Sequence, residues 1–284
     1  MKQKILLLAS ICLLSTAFVN AQVKGKSVVF VDYFKAPQNV DNSLVEVLRS
    51  KMIEGIQEMQ RLQVVDVSLQ EELKAGTDIE NGTTRISKMR ELGADYIIVG
   101  EVVSMSASRH TDSDNKLYYK GKIQWKVNVI NAETGVLKTT KTFDHSGLTG
   151  NRGNNPKAAI ANTCDYAKVS MDDFINETFP LEGTILQVES VKKDKAQTVY
   201  IDMVSLQGIM ENQRFDVYVE TDIAGEKGRT EVGALIAKTV LSEQRTLCKV
   251  TKGGKEINDA MSGNKKLVIV TKKAALLDSF KGLF

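Results

Sequence analysis

Apolar residues run unbroken through Tyr96-Ile-Ile-Val99, directly after Leu92-Gly-Ala-Asp95, and this pattern predicts a helix end, a turn and a strand covered on both faces. A second such run, Val28 to Val31, predicts a strand over Ser27 to Phe34, with Asp32 at its end. Between the two, Val45, Leu48, Met52, Ile56 and Met59 recur at spacings of a helix, which we place from Ser43 to Arg61 with Ser43 and Glu46 as a capping box. Gln63 to Val67 predicts another strand, and Thr83 to Leu92 a helix that turns Ile86, Met89 and Leu92 inward and stops at Gly93.

Beyond Gly100 the pattern changes to alternation. Glu101 to Ala107 and Leu117 to Ile130 predict a hairpin with a polar tip around His110 to Lys116. In its second arm Leu117, Tyr119, Ile123, Trp125, Val127 and Val129 face one way, while Lys120, Lys122, Gln124, Lys126 and Asn128 face the other, giving one covered and one wet face. Asn131 to Gly135 predicts a tight turn into a strand from Val136 to Phe143, and Asp144 to Asn155 a loop. Pro156 opens a long helix to about Thr178, capped by Asn155. After Phe179-Pro180 helical periodicity ends. Short strands split by turn signals follow from Gly183 to Val270, the pattern of a small, mostly antiparallel β-barrel. A tail over 273–284 has the spacing of a short amphipathic helix.

Composition adds location more than chemistry. Lys2 and Lys4, the apolar stretch Ile5 to Val19 and Val19-Asn20-Ala21 before Gln22 predict a cleaved signal peptide over residues 1–21. Cys12 follows Ile11 in mid-stretch, so no lipid-bearing cysteine is expected and the mature chain is expected to carry no transmembrane span. The 38 basic and 35 acidic residues nearly balance, which gives no electrostatic reason to expect nucleic acid as a partner. Cys164 falls in the helical stripe Ile160, Cys164, Ala167, Met171 and Phe174, which favours a small core residue over a bridge to Cys248.

Candidate chemistry is sparse. Gly25-Lys26-Ser27 resembles the end of a phosphate loop but precedes its strand, and Lys252-Gly-Gly-Lys255 fits a hairpin turn. His110 and His145 lie in predicted loops without companions at ligand spacing. Asp112, Asp114 and Asn115 lack the glycine and terminal glutamate of a calcium loop, so they fit a solvated hairpin tip. Asp32, at a strand end where α/β proteins place chemistry, fits a turn-capping role. We therefore expect no enzyme, no catalytic residue, no cofactor and no metal site.

The residues Val28-Val-Phe-Val-Asp-Tyr-Phe34, the helix from Leu44, Leu62 to Val67, Leu92 to Gly100 and Trp125 to Gly135 resemble, in order and spacing, the CsgG family of the bacterial outer membrane. Gly183-Thr-Ile-Leu186, Val199 to Asp202, Gln207 to Tyr218 and Val232 to Leu235 resemble the C-terminal domain of the flagellar envelope protein FlgT, with Val204 where a turn glycine is expected. The resemblance implies an α+β or α/β arrangement over 22–179, a mixed sheet with helices packed on it, followed by the small barrel over 180–272. It further implies a non-enzymatic envelope assembly or scaffold protein, periplasmic and outer-membrane associated, acting through protein partners of the cell envelope in envelope or secretion-apparatus assembly, and a possible homo-oligomer. The alternative is a protomer of a curli-type secretion channel. Against it, Ser104, Ser106, Ser108 and Arg109 are poor lipid contacts, and Asp144 to Pro156 is too short and polar for a membrane hairpin. Leu117 and Tyr119 sit on the apolar face near the hairpin tip, where the sheet is expected to outrun its helical cover; they are the expected partner-binding residues.

Overall fold

Strand β1 (Val28–Val31) lies between β2 (Gln63–Asp66) and β3 (Tyr96–Thr111) and is parallel to both. The computed structural model describes residues 26–74, 82–146, 151–223, 226–241 and 245–272; the expected signal peptide and the expected C-terminal helix fall outside them. Helix α1 (Asn42–Glu58) connects β1 to β2, and α2 (Gly82–Glu91) precedes β3. β3 pairs antiparallel with β4 (Leu117–Asn131), and β4 with β5 (Leu137–His145). The order is β2-β1-β3-β4-β5, with the short β6 (Arg152–Gly153) on the outer part of β4. Helix α3 (Pro156–Thr178) then crosses the sheet.

The unbroken apolar runs follow from this layout. Val29, Val31 and Ile98 pack beneath α1 and α3, whereas Phe30 and Ile97 pack on the opposite face with Met89 and Ala94. A strand buried on both faces has no polar side to alternate with. Gly93, at φ 94°, closes α2: the Gly93 amide donates to the Arg90 carbonyl and the Ala94 amide to the Met89 carbonyl, satisfying carbonyls that the helix end would leave idle.

Residues 182–272 build a closed antiparallel barrel from β7 (Glu182–Lys192), β8 (Lys195–Ile201), β9 (Arg214–Ile223), β10 (Glu226–Leu241), β11 (Arg245–Lys252) and β12 (Leu267–Lys272), in the order β10-β11-β8-β7-β12-β9. Closure removes the open sheet edge. Its interior holds Val199, Ile201, Phe215, Val217, Leu235 and Ile269, all at 1% exposure or less.

Several local expectations are corrected. The cap of α1 is Asp41, whose carboxylate accepts the Ser43 amide at 2.8 Å, so Ser43 lies inside the first turn and no Ser43–Glu46 box forms. Gly253-Gly254 is no hairpin turn. Gly253, at φ 75°, starts a helix, α4 (Gly254–Ser262), which tucks Ile257 and Ala260 into the barrel. A Cβ at Gly253 would stand 1.8 Å from the Val232 carbonyl oxygen, so the helix start is pressed against β10 and takes only glycine. The predicted loop over Asp144 to Asn155 contains the end of β5 and all of β6, because the outer part of β4 has backbone groups that β5 leaves unpaired. The hairpin tip is shorter than predicted, since β3 runs unbroken through His110 to Thr111. Cys164 and Cys248 are free thiols in separate cores, and burial pushes each up to about 12, so both stay protonated.

Candidate interaction surface on the β3–β4 hairpin

The two strands pair from Tyr96–Asn131 out to Thr111–Leu117, with a bulge at Val103. β1 accompanies β3 only through Ile98, followed by a single bridge from Lys35 to Glu101. From Val103 to Thr111 the outer edge of β3 carries no strand among the described residues. The tip is self-contained: the Asp112 carboxylate accepts the amides of Asp114 and Lys116 at 2.9 and 2.8 Å, and Asn115 takes the left-handed conformation that such a turn needs. The Asp112 carboxylate is thus a turn former.

On the helix-facing side, the inner half of β4 is fully closed. Ile123, Trp125, Val127 and Val129 are at most 1% exposed, and Trp125 stacks on Phe143 with ring centroids 4.4 Å apart. His145, which the sequence placed in a loop, is the last residue of β5; it is buried against Trp125, Phe143 and Tyr166. Burial pushes its imidazole down to about 4, so it packs as a neutral ring.

The cover then ends. Gly121 is buried where α3 crosses β4 so closely that a Cβ would lie 2.3 Å from the Ala159 carbonyl oxygen. Two residues further out Tyr119 is half-buried, and Leu117 is 45% exposed. Both share the helix-facing side with Arg109 and Thr111 across the ladder.

The other side is open and basic. Tyr118 pairs with His110, Lys120 with Ser108, Lys122 with Ser106 and Gln124 with Ser104. The His110 ring stacks on Tyr118 at 5.4 Å and accepts or donates a hydrogen bond with Ser108 Oγ at 2.9 Å. The Arg152 guanidinium lies 4.5 Å over the same tyrosine ring. Tyr118 and Arg152 were not singled out in the sequence. Tyr118 could have been, because it occupies the wet-face register of Lys120 and Lys122; Arg152 could not, because it reaches this face only through β6.

Asp32 gives no second site. Arg85 Nη2 and Nε grip its carboxylate at 2.6 to 3.0 Å, and Arg85 also donates to the Leu73 carbonyl. Beside it, buried Arg49 donates to the Val31 and Asp32 carbonyls and pairs with Asp66. Burial alone would raise the Asp66 carboxyl, but hydrogen bonds from Arg49 and Ser68 outweigh it and hold it below the ordinary range. Among the described residues, Arg49 and Arg85 hold the end of β1 through ion pairs to Asp66 and Asp32 and hydrogen bonds to nearby carbonyls. Among the described residues no three His, Cys, Asp or Glu side chains converge as metal ligands, and no helix is long and apolar enough to cross a membrane.

No family model and no curated protein matches the chain. Solved structures similar to it include the PelC dodecamer from Paraburkholderia phytofirmans, at 12% identity and TM-score 0.33 over 50% of this chain and 85% of that one. The LpoB C-terminal domain from Salmonella enterica is similar at 14% identity and TM-score 0.26 over 44% of this chain and 85% of that one. At TM-scores this low, neither likeness fixes the fold or the task of this chain.

Proposed function

We propose that this is a non-enzymatic cell-envelope assembly or scaffold protein of the CsgG type, exported to the periplasm, that acts through protein partners and uses the outer half of the β3–β4 hairpin to bind them. The observation that carries this reading is the hairpin's reach past α3: Leu117 is 45% exposed at the end of a ladder whose inner half is sealed. Exposed apolar side chains bounded by polar residues are common interface anchors. The wet-face cations and Tyr118 provide a second, polar contact surface on the same projection. The secretion-channel reading is weaker, because β5 and β6 flank only residues 146–151, and the open hairpin face carries Ser104, Ser106, Lys120 and Lys122.

The test is crosslinking in the native envelope followed by affinity isolation of the tagged full chain. The wild type is expected to retain a defined partner that the double variant Leu117→Ser, Tyr119→Ser loses while its thermal unfolding stays close to wild type. Equal recovery of the partner by both proteins would refute the hairpin assignment. Stepwise conductance of the purified protein in planar bilayers would instead favour the channel.

A further inference from the structure

The side of β3 that faces away from β4 can be read residue by residue. The Lys35 amide donates to the Gly100 carbonyl and the Val102 amide to the Lys35 carbonyl, so up to Val102 the even-numbered residues turn their backbone groups outward. The bulge at Val103 shifts this phase by one, in agreement with the Asp112 amide, which donates inward to the Lys116 carbonyl. Met105, Ala107, Arg109 and Thr111 therefore point their N–H and C=O groups away from the ladder, with no strand beside them among the described residues. Open edges of this kind are commonly guarded by lysine or proline. β5, at the far edge of the same sheet, carries Lys138 and Lys141, whereas Val103 to Ser108 holds neither residue type.

Charge indicates what kind of strand this edge accepts. On the open side Lys126 pairs with Glu101 at 2.8 Å, and there compensation stops. Further out, Lys120 and Lys122 have no carboxylate partner among the described residues, and neither has the Arg152 guanidinium over Tyr118. At the tip, the Asp112 carboxylate is occupied by turn amides. Between the two lysines and the open edge stand Ser106 and Ser108, their cross-strand partners. A strand added outside β3 would lie two strand spacings, about 10 Å, from β4, and serine is short enough for a lysine side chain to lean across it.

We propose that the outer edge of β3, from Val103 to Thr111, takes up an extended acidic segment of a partner protein as an added strand. Its backbone would pair with Met105, Ala107 and Arg109, and its carboxylates, at alternate positions, would stand above the serine row within reach of Lys120 and Lys122. This inference rests on the reading of the hairpin as the partner-facing part and gives that partner its chemistry. Main-chain hydrogen bonds supply the affinity, and the lysines supply the charge selectivity.

The test is fluorescence anisotropy of a labelled peptide of alternating threonine and glutamate, about eight residues long, mixed with the purified full chain. Saturable binding is expected, weakening as salt is raised. A threonine and lysine counterpart should not bind, nor should the glutamate peptide N-methylated at its central amides, which keeps its charge but cannot join a ladder. Lys120→Glu with Lys122→Glu should weaken binding by about tenfold or more. Ala107→Pro removes an outward N–H while sparing the ladder to β4, and should weaken it as much. Absence of binding, equal binding of the lysine or the N-methylated peptide, or undiminished binding by Ala107→Pro would overturn the proposal. If Ala107→Pro fails to fold, the N-methylated peptide still decides. A wild-type dimer in sedimentation that Ala107→Pro dissolves would also overturn it, with a second copy as the occupant. Partner recovery from the envelope separates this inference from the reading beneath it. A partner kept by Ala107→Pro but lost by Leu117→Ser, Tyr119→Ser would overturn strand addition alone; a partner kept by both variants would overturn the hairpin assignment as well.

Discussion

The inner and outer halves of the β3–β4 hairpin are the same two strands in one continuous ladder, yet they differ in nearly every physical respect. Inside Gly121, β4 presents Ile123, Trp125, Val127 and Val129 to α3 and α1 with almost no exposure. Outside it, Tyr119 is half-buried, Leu117 is exposed, and the opposite side is a strip of lysine, serine, histidine and tyrosine. Alternation alone does not separate the halves. What separates them is the point at which Pro156 starts α3, because a sheet face becomes core only where a second layer covers it.

The most severe way to break this contrast is to empty the inner half. Trp125→Ala removes the side chain that stacks on Phe143 and should cost about 3 to 5 kcal/mol, read as a lower denaturant midpoint. His145 tests the same sealed region through pH. Its folded-state value of about 4 lies below the unfolded value, so the fold favours the neutral ring. The resulting stability is complete above about pH 6.5 and is lost as pH falls from there toward 4, by about 3 kcal/mol in all. His145→Phe keeps a ring in the stack and should flatten that part of the pH profile; an unchanged slope would show that His145 is not the group responsible.

At the dividing line itself, Gly121→Ala drives a Cβ into the Ala159 carbonyl and should cost about 1 to 3 kcal/mol. A neutral outcome would mean that α3 can lift from β4 freely and that the division is not fixed. Smallest of all should be Leu117→Ser with Tyr119→Ser, at about 1 kcal/mol or less, because Leu117 is exposed and Tyr119 only half-buried.

Much of this contrast was legible in the letters. The side-chain period of β4, the helical stripe through Cys164 and the Gly93 stop all correspond to observed packing, because each depends on neighbours close in sequence. The strand-rich second half was equally legible as a barrel. What could not be read depended on distant backbone. α4 was missed because two glycines fit a hairpin turn as well as a left-handed helix start, and the choice is made by contact with Val232. His145 seemed a loop residue because nothing local indicates that β5 continues under Tyr166. Arg61 closed a helical stretch and gave no sign of burial; that comes from the barrel, which places Gln213 beside it.

The claim that the hairpin's outer half is the partner-facing part of the molecule is tested most directly by position-specific photocrosslinking in the native envelope. A photoreactive residue would be placed in turn at Leu117 and at Leu186, which is 50% exposed on the barrel and so equally able to react. The account predicts a discrete protein adduct from position 117, absent or much weaker from 186. An adduct from 186 with none from 117 would contradict it.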